Sequence, residues 1–101
     1  MSAIRLATWN VNSIKVRLPH LLQWLAAQDA MKASIDALCL QELKLTEDKF
    51  PFAELEAAGY YSLVAGQKTY NGVAILLRKA SLAAIYKNLL SVVKFCKHPG
   101  V

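Results

Sequence analysis

Ile35-Asp36-Ala37-Leu38-Cys39-Leu40-Gln41-Glu42-Leu43-Lys44 is an apolar run of strand length that ends on a carboxylate. Residues 35–41 are apolar enough for a strand buried on both faces, and Glu42 falls where the strand should end. Upstream, Ile4-Arg5-Leu6-Ala7-Thr8-Trp9 is a second short strand with partial period-two alternation. It ends in Asn10-Val11-Asn12-Ser13, which reads as a loop. Between the two strands, Leu18, Leu21, Leu22 and Leu25 repeat at helical spacing, with Pro19 suited to the first turn and an end near Met31. Strand, helix, strand implies a crossover connection between parallel neighbours. The ends of both strands then lie at one edge of the sheet, where α/β proteins place ligands.

Further along, Pro51 can open a short helix through Glu54 and Ala58, and Gly59 is a natural stop. Tyr60 to Ala65 and Val73 to Leu77 read as two more strands, joined as a hairpin across the turn-rich Gly66–Gly72 segment. After Leu77 the character changes. Leu82, Ile85, Tyr86, Leu89, Leu90 and Val93 recur at helical spacing, which predicts one amphipathic helix, and His98-Pro99-Gly100 would break it. The division expected is 1–77 as part of one α/β domain and 78–101 as a basic amphipathic tail.

Charge follows the same division. Residues 1–76 hold seven basic and seven acidic side chains; residues 77–101 hold five basic and none acidic. The whole surplus of +5 therefore lies in the last quarter, so the basic balance does not describe a nucleic-acid groove in the body of the domain. With 55% hydrophobic residues in 101, the chain has material for a core and is not of disordered composition. Two cysteines make no framework. Cys39, inside an apolar strand, is expected to be a free thiol behaving as a small hydrophobe. A reduced, cytoplasmic protein with no secretory signal and no membrane span is the expectation.

Glu42 and Asn10 are the residues with chemistry. Hard cations such as Mg²⁺ take oxygen ligands, often one or two carboxylates with water and substrate phosphate. The Asn10 carboxamide can orient such a carboxylate or bond a metal-bound water. Each also has a plain reading, Glu42 as a surface acid beside Lys44 and Asn10 as a turn residue closing its strand. Arg17, Lys44 and Lys68 are candidate phosphate contacts. Lys68, Tyr70 and Asn71 sit in a polar loop between two glycines that suits a nucleic-acid backbone or a plain hairpin tip. Trp9 and Trp24 read as core, and His20 as structural or exposed. No nucleophile elbow, phosphate-binding Gly-Lys-Ser/Thr motif or zinc spacing occurs.

Together these pieces are more specific. Thr8-Trp9-Asn10-Val11-Asn12-Ser13-Ile14-Lys15-Val16-Arg17, Leu40-Gln41-Glu42-Leu43-Lys44, Phe50-Pro51, Gly59-Tyr60, Gly66-Gln67-Lys68 and Asn71-Gly72-Val73-Ala74-Ile75-Leu76 resemble, in order and spacing, the start of an exodeoxyribonuclease III-type abasic-site endonuclease. That family belongs to the endonuclease/exonuclease/phosphatase superfamily. The resemblance implies an α/β fold, the N-terminal part of a two-layer β-sandwich flanked by helices (a four-layer, DNase I-like arrangement). It implies Mg²⁺- or Mn²⁺-dependent hydrolysis of DNA phosphodiesters in base excision repair: incision 5′ to abasic sites, and 3′-to-5′ exonuclease or 3′-phosphatase action. The implied partner is double-stranded DNA with abasic or 3′-blocked sites. Glu42 matches the family's metal-ligand Glu, and Asn10 its active-site Asn near that metal.

The other catalytic parts implied by the resemblance are a Tyr, an Asp-x-Asn pair and a C-terminal Ser-Asp-His element. None has a counterpart here, since no acid follows Glu56. The expectation is a truncated nuclease, inactive by itself, whose tail resembles a frame-shifted or diverged end. Three other readings stand beside it. One is a lipid or inositol phosphatase fragment of the same superfamily, one a non-catalytic interaction module capped by its tail. The last is a basic helix that binds membranes or nucleic acid non-specifically.

Overall fold

The computed structural model describes residues 4–65 and 72–97. Its elements, in chain order, are β1 (Leu6–Asn10), α1 (Ile14–Ala30), β2 (Ala37–Gln41), a 3₁₀ turn (Glu47–Lys49), α2 (Phe52–Ala57), β3 (Tyr60–Ala65), β4 (Val73–Arg78), a second 3₁₀ turn (Lys79–Ser81), α3 (Leu82–Lys87) and α4 (Leu89–Lys97). The four strands form one mixed sheet in the order β1-β2-β4-β3. β1 and β2 are parallel across the α1 crossover, and β3 and β4 pair antiparallel, as the sequence predicts. β4 also inserts beside β2, antiparallel.

Alternation sorts the side chains onto two faces. Leu38, Leu40, Ala74 and Leu76 point to one face and are buried against Ile14, Leu21 and Leu25 of α1 and Leu55 of α2. Each fully buried leucine contributes about 1.5–3 kcal/mol of transfer free energy. On the other face, Leu6, Ala37 and Leu77 form a row across the sheet, and Ile85 of α3 packs on it. The tail thus covers that end of the face. Leu63 and Val73, nearer the other end, are 58% and 47% exposed.

Local departures from the sequence reading have physical causes. α1 starts at Ile14, so Pro19 lies inside the helix and not in its first turn. The start is fixed by burial of Ile14 and by its N–H, which donates to the Leu43 carbonyl at 3.1 Å. β2 begins at Ala37 because Asp36 makes a corner. The Asp36 N–H donates to the Arg5 carbonyl, while its carboxylate accepts from the Arg5 N–H at 2.6 Å and from the Ser81 hydroxyl. The tail is two helices, interrupted at Asn88, whose side chain donates to the Ala84 carbonyl. Ile85 is buried, but Tyr86 and Leu90 are 77% and 68% exposed, so the apolar stripe is only partly used. Trp24 is exposed, not core, and with Trp9 and His20 lines an open apolar cleft of about 390 Å³ beside β1. Cys39 is disulfide-bonded, which corrects the free-thiol expectation. It is buried on the tail-facing side of β2, where α3 and α4 pack. Among the described residues, no helix is long and apolar enough to cross a membrane.

Two tests follow from this packing. Ser13 has φ 93° and ψ 105°, a conformation favouring glycine, and its hydroxyl makes no capping bond. Such residues cost of order 1–3 kcal/mol, so Ser13→Gly should raise stability by about 1 kcal/mol in denaturant unfolding; a loss would mean the strain is not real. Burial pushes the Tyr60 hydroxyl up to about 12, with the Asp29 carboxylate adding to it and Arg78 opposing. This hydroxyl donates to the Ile35 carbonyl at 3.3 Å. An unfolded tyrosine ionises near pH 10, so the folded state binds the proton more tightly. Its contribution is complete below about pH 10 and is lost as pH rises toward 12. Thermal melts across that window should fall more steeply for the wild type than for Tyr60→Phe; parallel curves would rule this out.

Candidate active site

The parallel register of β1 and β2 places Asn10 opposite Gln41, so the residues following each strand emerge side by side. Their backbones continue the pairing. The Val11 N–H donates to the Gln41 carbonyl at 3.1 Å, Ser13 to Glu42 at 2.9 Å and Ile14 to Leu43 at 3.1 Å. Val11, Ile14 and Leu43 are fully buried beneath these bonds. From the other side, Leu43 N–H donates to the Gly72 carbonyl at 3.2 Å. Both loops are therefore tied down by backbone and by core.

Four of these residues have left-handed backbone: Asn12 at φ 47°, Ser13 at 93°, Glu42 at 55° and Lys44 at 58°. Asparagine tolerates that region; Glu and Lys do so rarely. The buried Leu43 between Glu42 and Lys44 supplies the reason. Anchoring Leu43 while the chain turns out of β2 forces its two neighbours into the left-handed region. The turn leaves the Glu42 side chain half-buried and that of Lys44 exposed, at the ends of the strands.

The side chains then interlock. The Asn10 amide donates to a Glu42 carboxylate oxygen, and the Asn10 carbonyl oxygen accepts from the Asn12 N–H at 3.2 Å. Both ends of that carboxamide are thus assigned, and it holds the carboxylate in one orientation. The Lys44 ammonium donates to the Asn12 side-chain oxygen. One turn back, the Gln41 amide donates to the Thr8 hydroxyl at 2.7 Å and to the Cys39 carbonyl at 3.2 Å. The structure brings Asn10, Asn12, Glu42 and Lys44 together and sets beside them Thr8 and Gln41, which the sequence reading does not single out. Their signal was the strand register itself, which aligns Thr8 with Cys39 and Asn10 with Gln41.

Arg17 stands on the second turn of α1, and its N–H donates to the Ser13 carbonyl at 3.2 Å. No hydrogen bond or ion pair joins its side chain to Asn10 or Glu42 among the described residues. The candidate DNA contacts Lys68, Tyr70 and Asn71 lie outside the described residues. Among those described, no group of three His, Cys, Asp or Glu side chains is placed to hold a metal ion. One oriented carboxylate with a carboxamide behind it suits a hydrated hard cation that keeps most of its waters, and does not suit a cage of protein ligands.

The Endonuclease/Exonuclease/phosphatase family model matches residues 7–91, running past Leu77 into the tail helices. Exodeoxyribonuclease III of Haemophilus influenzae is 32% identical over 76 residues, covering 75% of this chain and 27% of that protein. DNA-(apurinic or apyrimidinic site) endonuclease 2 of Xenopus laevis is 31% identical over 100 residues, covering 96% of this chain and 18% of that protein. Among solved structures, the 3′ phosphatase NExo from Neisseria, bound to a product DNA hairpin, superposes with a TM-score of 0.67 at 51% identity, over 75% of this chain and 28% of that one. An AP endonuclease from Archaeoglobus fulgidus gives 0.66 at 40% identity, over 74% and 27%. The chain thus spans about a quarter or less of the length of these relatives. The oriented Asn10–Glu42 pair occurs within a chain that belongs to the endonuclease/exonuclease/phosphatase family, in which its relatives include exodeoxyribonuclease III and AP endonucleases.

Proposed function

We propose that this chain carries the first part of a DNA phosphodiesterase centre, the part that binds Mg²⁺ or Mn²⁺ and orients it toward a phosphate. The observation that carries this reading is the Asn10 amide bonded to the Glu42 carboxylate across the ends of two parallel strands. Glu42 would hold the cation through water-rich coordination, and Asn10 would keep the carboxylate aimed. Bound there, a divalent cation supplies charge neutralisation at the non-bridging and leaving oxygens of a phosphodiester. Lys44, steadied by Asn12, adds positive charge beside the site, and Arg17, Lys68, Tyr70 and Asn71 are further candidate DNA contacts.

The substrate proposed is double-stranded DNA carrying abasic or 3′-blocked sites, in base excision repair. DNA is what the relatives' names point to, one being an apurinic-site endonuclease and another a 3′ phosphatase bound to a DNA hairpin. Catalysis by this chain alone is not expected. In-line attack on a phosphodiester needs a base for the attacking water in addition to charge stabilisation, and no acid follows Glu56 in this chain to serve as one.

A second reading is favoured by the tail. α3 packs against β4 and α4 against β1, with Ile85 seated on Ala37 and Leu77. Residues 78–101 would then act as a cap on the 1–77 body, giving a non-catalytic interaction module. A fragment of a lipid or inositol phosphatase of the same family is less well supported, because no relative described above acts on such a substrate.

Titration with Mn²⁺ should broaden the backbone amide resonances of residues 10–13 and 42–44 before any others, and Glu42→Gln should abolish that selectivity. Uniform broadening in both proteins would remove the metal site. An abasic duplex in millimolar Mg²⁺ should show no incision above background; cleavage that disappears in Glu42→Ala would overturn the inactive reading. If the tail is a cap, Ile85→Ala should cost about 2–5 kcal/mol in a cooperative melt, and the wild type should run as a compact monomer in gel filtration. A neutral Ile85→Ala would sink the module reading.

A further inference from the structure

The chain has two cysteines, and Cys39 is disulfide-bonded. A bond within one chain therefore joins Cys39 of β2 to Cys96, which belongs to α4. Cys39 is 3% exposed and lies on the tail-facing side of the sheet, in register with Thr8 of β1 and Ile75 of β4. Its carbonyl accepts from the Gln41 amide at 3.2 Å, and Glu42 follows Gln41 directly. The bond thus ties α4 to the inner strand that carries the candidate site.

Little else among the described residues holds α4 down. It packs against α3 and β1, yet its described side chains, Leu89, Leu90, Ser91, Lys94 and Phe95, are all exposed. The break at Asn88 separates it from α3, where Ile85 is the buried anchor. A helix of nine residues is too short to hold its own structure in water, so α4 depends on what fixes it to the sheet. Covalent closure of the long loop between residues 39 and 96 restricts the open chain and favours the docked state.

We propose that Cys39 and Cys96 form a redox latch: oxidised, it holds α4 on the sheet; reduced, it lets α4 detach while the four strands, α1 and α2 stay folded. The proposal builds on the reading of residues 78–101 as a cap, and adds what controls the cap. The chemistry is thiol–disulfide exchange with a small dithiol. One thiolate of the dithiol attacks a sulfur of the bond, forming a mixed disulfide and freeing the other cysteine as a thiol. The second thiolate of the reductant then displaces the remaining cysteine and closes a cyclic disulfide. The protein gains two electrons and two protons, and the dithiol loses them; a small disulfide re-forms the bond by the reverse exchange. The latch stands open in a strongly reducing compartment and closed in an oxidising one.

The test uses the full chain, oxidised and after dithiothreitol. Oxidised protein should be lighter by two hydrogens in intact mass, and its non-reduced peptide map should hold one linked pair, Cys39 with Cys96. Amide hydrogen exchange followed by mass spectrometry should then show residues 89–97 exchanging at least tenfold faster after reduction, with residues 6–10, 37–41 and 73–78 unchanged. Oxidised glutathione should restore the slow exchange. Cys96→Ser should exchange at 89–97 like the reduced wild type under both conditions, and the wild-type comparison stands even if a cysteine variant folds poorly. Free thiols with no linked peptide in the oxidised protein overturn the latch. Equal exchange of 89–97 in both states overturns it, since the bond then holds nothing that moves. Faster exchange of the strands as well overturns it, because the bond is then a staple of the whole fold. A neutral Ile85→Ala with the linked peptide and the reduction-dependent exchange intact removes the packing cap and leaves the latch standing.

Discussion

The backbone pairing that carries on past the ends of β1 and β2 is the constraint on which everything else depends. Three N–H donors from residues 11–14 meet the carbonyls of residues 41–43, above three fully buried side chains, Val11, Ile14 and Leu43. Backbone groups buried in this way must be paired, and here they are paired only if the two loops lie together. Once they do, α1 must start at Ile14, Glu42 and Lys44 must turn left-handed, and Asn10 must reach the Glu42 carboxylate. The candidate site is a consequence of how the crossover unit closes.

Strain is concentrated in the two loops that hold the Asn10–Glu42 pair. Non-glycine residues in the left-handed region are few in most folds, and four of the five in the described residues fall in these two loops. Each costs stability, and the core beneath them supplies the compensation. A carboxylate fixed by the backbone and by the Asn10 carboxamide loses little further entropy on meeting a cation, which is the benefit of preorganisation. The same rigidity holds Ser13 and Lys44 beside the Asn10–Glu42 pair. At the opposite end of the sheet a separate polar group serves stability. Asp36 bonds Arg5 and Ser81, Arg78 bonds Ser81 at 3.2 Å, and an ion pair of 3.9 Å joins Arg78 to Asp29. This group holds the start of β2 to the turn that leads into α3.

The tail shows how a compositional signal and a packing signal differ. Its helical spacing was readable, and two helices form. Yet Ile85 alone is buried among the large apolar residues of α3, and Tyr86 and Leu90 stand in solvent. Periodicity describes which side chains share a face; it does not say whether a partner surface exists for that face. Here the row Leu6–Ala37–Leu77 seats Ile85 of α3, while the neighbouring Tyr86 finds no such surface.

What the sequence determined by itself were the elements with strong local patterns: the both-face-buried β2, the parallel crossover, the β3–β4 hairpin, and the pairing of a strand-end Asn with a strand-end Glu. Those follow from alternation, helical spacing and chain connectivity, which act over neighbouring residues. Only the tertiary structure decided where α1 begins, why Pro19 is tolerated inside it, and that β4 lies beside β2. It alone made Glu42 and Lys44 left-handed and set Cys39 beneath the tail helices. Each of these depends on groups far apart in the chain meeting across the sheet, where burial of Leu43 and Ile14 outweighs the local preferences of the residues around them.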